Sequence, residues 1–459
     1  MTRPATSTEI GRPAELAALT PQVHNPKRDK QSRHAMPLYS ATPNPIRPQK
    51  LQRIGAGLIL LLGALTAVGP FTIDMYLAAF PQITSDMNTQ PAAVQLTITA
   101  TLAGLALGQL LIGSISDAIG RRRPLLSGLA LYIVASLGIV FVTSVEALTA
   151  LRFVQGFAAS AGMVLSMAIV RDRFEGIQVG KAIARLMLVV GVAPSIAPLI
   201  GAQFLQLGSW RYMFVALAIF AAVLLVLSMF LLKESLPPTM RRSGGVDAAA
   251  RSYGGLLRDP IFMGLALLSG FSMAALFTYV SSATFVFQEG FGLSAQQFAW
   301  IFASGAVAIT AGTQINGAMI GRVAPEQILR AAVLAALAIT GSMVVVTLLG
   351  LGIWPLIGLL VLTLLVTGIL LPAVPVIALE ANAHRAGSAA ALLGALQFGV
   401  GAAIAPVTGI FQEGSAVAMA AVMFGATVVT TGLMFAIRPA LRRTTIDPRA
   451  LLQAEELVS

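Results

Sequence analysis

From residue 54 onward the chain is a succession of long apolar runs separated by short polar gaps. The run over 58–69, LILLLGALTAVG, is continuous rather than alternating. A membrane β-strand would alternate polar and apolar residues over about ten positions, and a water-exposed helix would keep a polar face. Neither pattern is present. The runs cover 54–79, 92–115, 125–143, 146–170, 182–206, 212–233, 261–285, 297–320, 328–350, 354–379, 387–411 and 414–437. At 1.5 Å per residue each crosses a hydrocarbon core of about 30 Å. The pattern therefore predicts an all-α membrane protein with twelve transmembrane helices.

Composition agrees. Hydrophobic residues make up 56% of the 459 positions and charged residues 11%, against about 25% charged in a soluble domain. Cysteine is absent, which excludes disulfides, thiolate nucleophiles and Cys-ligated metals. The net charge of +11 does not point to nucleic acid, because of where the charge lies. Nine of the thirty Lys and Arg fall in residues 1–53, and most others sit in gaps between runs. Segment 1–53 is rich in Pro, Ser, Thr and Gln, lacks a signal-peptide core, and reads as a disordered basic tail, with Met36 as an alternative start.

The gaps after the second, fourth, sixth, eighth and tenth runs hold or border Arg121, Arg122 and Arg123; Arg171, Arg173 and Lys181; Lys233, Arg241, Arg242, Arg251 and Arg258; Arg322; and Arg385. The 438–459 tail adds Arg442, Arg443 and Arg449. The odd gaps hold or border Asp86, Glu146, Glu289 and Glu413, with Arg211 as their exposed cation. By the positive-inside rule the even gaps and both termini are cytoplasmic, which places a multi-pass chain in the cell inner membrane. The longest gap, 234–260, is polar, basic and rich in Pro and Gly. It divides the chain into bundles over 54–233 and 261–437, the six-plus-six plan of transporters built from repeated halves.

Ionisable groups inside a span are costly and are functional candidates. Asp74 in the first run and Arg152 in the fourth stand out. Each lies five or six residues from the outer end of its run, at a shared depth of about 8–10 Å. Burial favours a neutral acid and a nearby Arg favours a carboxylate, so a change of surroundings would make Asp74 take up and release a proton. The alternative is that both anchor at the headgroups. Residues 113–123, GSISDAIGRRR, form a tight turn in which Gly120 allows the bend and Asp117 can pair with Arg or a helix N-terminus.

These motifs resemble the major facilitator superfamily, of the drug:proton antiporter type, and most closely its bicyclomycin-resistance (Bcr/CflA) branch. The 113–123 turn is similar to the superfamily's G-x-L-x-D-x-x-G-R-[RK] signature, with Ile115 in place of Leu. Residues 148–156, LTALRFVQG, resemble its helix-four R-x-x-Q-G signature. Residues 72–77, TIDMYL, resemble the branch's helix-one T-D-M-Y-L-P, and 193–201, APSIAPLIG, its helix-five A-P-x-x-A-P-x-x-G. The likeness covers about residues 54–440.

The resemblance implies a fold of two pseudo-symmetric six-helix bundles and export of small amphipathic molecules driven by the proton gradient, without a cofactor. Asp74 would be the protonation site, assisted by Arg152. Gly113, Asp117, Gly120, Arg121 and Arg122 would form a cytoplasmic gate joining the two halves. Gln155 and Gly156 would complete the helix-four motif. Gly191, Pro194, Pro198 and Gly201 would shape helix five at the half-to-half contact. Substrate contacts are expected among Met75, Tyr76, Gln109, Gln155, Phe271, Phe277 and Tyr279, polar, flexible or aromatic groups on predicted spans. The expected partners are a small molecule, protons and lipid, with the chain acting as a monomer.

Two rival classes remain. A proton-coupled metabolite importer shares the fold. A membrane-embedded transferase would need an acid–base cluster, and none is visible. The histidines, His24, His34 and His384, lie outside the runs. There is no H-E-x-x-H, phosphate-binding loop or nucleophile elbow, which argues against an enzyme.

Overall fold

A computed structural model describes residues 56–241, 245–320, 322–382, 385–410 and 414–444. The expectations for 1–53, for the tail beyond Thr444, and for Arg242, His384 and Glu413 lie outside the described residues.

Among the described residues twelve helices are long and apolar enough to cross a membrane, as the run pattern predicts. The first span runs over Gly57–Asp86 but is not one straight helix. It consists of α1 (Ala56–Asp74), a 3-10 turn (Leu77–Ala79) and α2 (Phe80–Asp86). The other five spans of the first half are α3 (Pro91–Ile119), α4 (Arg122–Val140), α5 (Val145–Arg173), α6 (Ile177–Gln206) and α7 (Arg211–Leu231). Then comes α8 (Gly245–Leu257), inside the segment read from sequence as an irregular linker. The second half is α9 (Pro260–Thr284, ending in a π-helical turn Phe285–Gly290), α10 (Ala295–Met319), α11 (Pro325–Leu348), α12 (Ile353–Glu380), α13 (Ala386–Ile404) and α14 (Ala416–Thr444).

The two halves repeat each other's packing. In the first, α3 packs on α5, α1 on α6 and α4 on α7; six spans later α10 packs on α12, α9 on α13 and α11 on α14. The halves meet along two seams, α3 against α13 and α6 against α10. This exchange of equivalent partners is that of a pseudo-twofold axis between bundles. Close helix contact is built on small residues: a methyl group on Gly156 would lie 2.1 Å from the Thr101 carbonyl oxygen, so only glycine lets α5 approach α3 there.

Arg211, the cation out of place in the charge pattern, is held by its own end of the bundle. It pairs with Asp86 at 3.3 Å and donates to the Val142 carbonyl, while Trp210 Nε1 donates to the same Asp86 carboxylate at 2.9 Å.

Candidate functional site in the broken first helix

Breaking a helix frees carbonyl oxygens that a bilayer cannot hydrate. The break after Asp74 shows where each goes. The Thr72 carbonyl accepts from Arg152 Nη2 of α5 at 2.8 Å. The Leu77 carbonyl accepts from the Thr284 hydroxyl at 3.1 Å, and the Ala78 carbonyl from Gln288 Nε2 at 3.2 Å. The first of these donors belongs to the same bundle and the other two to the opposite one. On α6, Gly201 presses against Met75: a methyl there would sit 1.9 Å from the Met75 carbonyl oxygen. The tight kink is thus clamped from three sides.

Arg152 is completely buried, so the headgroup-anchor alternative does not hold for it. Its guanidinium donates to Gln155 Oε1 at 2.5 Å as well as to Thr72, and its Nε has no partner. The guanidinium lies 4.0 Å from the Tyr76 ring centroid and 5.7 Å from that of Phe214, within cation–π range. Gln155 passes the network on to Ser136, and Thr72 to Tyr132 at 2.7 Å. Tyr76 bonds Thr97 at 2.8 Å. Tyr76 and Gln155, expected as substrate contacts, are therefore committed to holding Arg152.

Asp74 is 6% exposed at the end of α1. Because the first span continues to Asp86, the acid lies twelve residues from that end, about 18 Å at 1.5 Å per residue, deeper than the run pattern implies. Among the described residues no ion pair joins it to Arg152, whose two terminal nitrogens donate to Gln155 and Thr72. The two groups meet through the backbone of α1, not charge to charge.

The remaining candidates separate. Tyr279 is buried, stacks on Phe302 at 5.3 Å, and its hydroxyl has no hydrogen-bond partner. Phe277 packs inside the second bundle on Phe398 and against Gly401, and Phe271 is half-buried on α9. Gln109 abuts Gly394 at the α3–α13 seam. Gly191 is also at a seam, accepting from Thr310 of α10 at 3.1 Å. Pro194 and Pro198 lie within α6 and remove two bonds from its ladder. Gly201, expected at the half-to-half contact, faces the first helix of its own half instead. Sequence reasoning passed over Gln95, Ser282 and Thr408, which bond one another across the α3–α13 side (3.0 and 3.3 Å) and line a narrow crevice.

The turn between α3 and α4 lies at the basic end. Arg121 pairs with Asp117 and, at 3.0 Å, with Asp172 of α5. Glu234, just past α7, accepts from the backbone N–H groups of Arg121 (2.8 Å), Arg122 (3.2 Å), Ser235 (3.0 Å) and Leu236 (3.1 Å). Gly120 makes the turn at φ +98°, where a side chain would strike Glu234. Gly113 on α3 is not so constrained; a methyl there would make ordinary contact with Val164. Arg122 donates to the Leu232 and Met229 carbonyls. Asp117, Asp172, Met229 and Leu232 belong to the first bundle and Glu234, Ser235 and Leu236 to the start of the linker; none of these partners lies on the second bundle. A second contact with the linker comes from Tyr253 of α8, which donates to the Leu110 carbonyl at 3.0 Å.

Partial burial opposes ionisation of Glu234, but the four backbone donors outweigh it and hold its carboxyl below the usual carboxylate range. A depressed carboxyl contributes stability that is present above its unfolded value, about 4.3, and lost as pH falls through the folded one. Thermal stability of the detergent-solubilised protein should therefore decline on acidification below about pH 4.3, and Glu234→Gln should flatten that decline. Parallel melting-versus-pH curves for the two proteins would contradict the assignment.

Residues 60–406 match the family model described as Major Facilitator Superfamily. The chain is 39% identical over 382 residues to the uncharacterized MFS-type transporter YdgK of Bacillus subtilis, covering 83% of this chain and 95% of that one. It is 32% identical over 386 residues to a bicyclomycin resistance protein homolog of Haemophilus influenzae, covering 82% and 94%. Among solved structures, the xylose transporter XylE of E. coli in a partially occluded inward-open conformation superposes with a TM-score of 0.65 at 14% identity, covering 83% and 96%; that likeness is one of fold.

Proposed function

The chain belongs to the major facilitator superfamily and is a transporter rather than an enzyme, and on that premise we propose that it exports small amphipathic molecules in exchange for protons by alternating access. One observation carries the proposal: among the described residues a single acid, Asp74, is buried at a helix break on the boundary between the bundles, with no cation paired to it. An acid so placed changes its affinity for protons whenever rocking of the bundles changes its surroundings.

In this reading Arg152 fixes the geometry of the break instead of sharing a proton. Thr284 and Gln288 close the far end by binding the first helix, and these bonds part when that end opens. The braced α3–α4 turn, with Asp117, Arg121, Asp172 and Glu234, is the rigid half of the gate at the basic end. The distribution of Lys and Arg supports a cytoplasmic position for that end in an inner-membrane protein. The similarity to the bicyclomycin resistance homolog favours amphipathic antimicrobial compounds as cargo.

Inside-out vesicles from cells overproducing the protein, given an acid-inside gradient, should accumulate a lipophilic cationic dye and lose it when an uncoupler is added. Uptake that survives the uncoupler, or that appears only in right-side-out vesicles, would overturn coupling or direction respectively.

A further inference from the structure

A buried hydroxyl without a partner is unusual. Leaving one unpaired costs about 1–3 kcal/mol, and such a group in a native fold calls for an explanation. The Tyr279 hydroxyl is one. Its ring is fixed by stacking on Phe302 at an interplanar angle of 18°, and a methyl placed on Gly305 would lie 3.5 Å from the oxygen. The phenol is therefore wedged between α9 and α10.

Five residues further along α9, Thr284 reaches the carbonyl of Leu77, and the 3-10 turn that follows Asp74 packs on both α9 and α10. The acid, three residues before that turn, and the phenol, between the two helices on which the turn packs, thus belong to adjoining elements of opposite bundles. The other ionisable groups near Asp74 make their hydrogen bonds elsewhere, save for the Arg152 Nε, which is buried without a partner. Arg152 on α5 serves Thr72 and Gln155, Tyr132 on α4 bonds Thr72, and Tyr76 bonds Thr97. Helix α10 brings no charged residue, Lys181 and Arg185 of α6 lie near its basic end, and Arg211 of α7 is at the far end with Asp86.

We propose that Tyr279 is the positioning residue for the coupling acid: its hydroxyl stands idle while Asp74 is neutral and donates across the bundle boundary to the carboxylate when the proton leaves. Hydrogen bonds to an ionised acceptor are roughly twice as strong as neutral ones. The phenol therefore eases deprotonation, and it does so only while the two bundles are in register. The charge on Asp74 is thereby tied to the closed arrangement. This rests on Asp74 being the proton carrier.

The test is an infrared titration of protein reconstituted in lipid, following the carboxyl band that disappears in Asp74→Asn. Tyr279→Phe deletes an oxygen that bonds nothing in this state, so its melting temperature should be no lower than that of the wild type. Its Asp74 band should titrate about one unit more alkaline, a tenfold change in proton affinity. Placing 3-fluorotyrosine at 279 by nonsense suppression keeps the ring and strengthens the donor, and should shift the midpoint the other way. Coincident midpoints in all three proteins would defeat this inference and leave Asp74 as carrier. A wild type without any Asp74-dependent titration would defeat both.

Discussion

Asp74→Asn vesicles should hold no substrate gradient under a proton-motive force that lets the wild type concentrate its cargo. One proton crossing about 100 mV releases roughly 2.3 kcal/mol. At about 1.4 kcal/mol per tenfold this sustains a concentration ratio near fifty. Asparagine is close to aspartic acid in shape but cannot carry a proton, so the ratio should fall from about fifty to one. Folding should survive, because no ion pair rests on this carboxyl and its loss removes the need to bury a charge. Counterflow, in which preloaded and external substrate exchange without net work, should persist. A variant that still concentrates substrate would show that protons travel by another route.

The second large effect is on stability. Arg152→Ala removes the donor to the Thr72 carbonyl and to Gln155, empties the space beside Tyr76, and leaves buried acceptors unmatched. Hydrogen bonds to a charged group contribute about 1.5–3 kcal/mol each. After allowing for relief of the buried charge, a net loss of about 2–4 kcal/mol follows. The variant should melt well below the wild type in detergent, and transport per folded molecule should fall with it. Arg152→Lys keeps the charge but not the planar fork, and should recover only part of the loss. An alanine variant with wild-type melting and lost coupling would instead place Arg152 in proton transfer, as the resemblance implies.

The contrast between these two residues shows what a sequence makes visible. A charge in an apolar run announces itself by its cost, and so Asp74 and Arg152 were found. Their relation was not, because the run pattern cannot show that the first helix breaks after Asp74 and exposes a carbonyl that the guanidinium then serves. The twelve spans were legible, most of them to within a few residues, because length and apolarity fix them; the first runs on past its predicted end at 79 to Asp86. Thr284, Gln288, Gln95 and Thr408 were invisible, since neutral polar side chains are common in spans and their worth here lies in which backbone they face. Glu234 and Asp172 carry no motif of their own; only folding brings them to one arginine turn. Helix α8 was hidden by Gly254 and Gly255, residues of poor helical propensity, though Tyr253 and Leu256 anchor it.

The far-end closure has one further property. On the first-helix side its acceptors are the main-chain oxygens of Leu77 and Ala78. Every amino acid supplies the same oxygen, so drift at positions 77 and 78 leaves that half of the latch unchanged provided the chain keeps its path. Tuning of how firmly the exit shuts is thereby confined to the other bundle, at Thr284 and Gln288. Evolution can adjust that contact without touching the segment that holds Asp74.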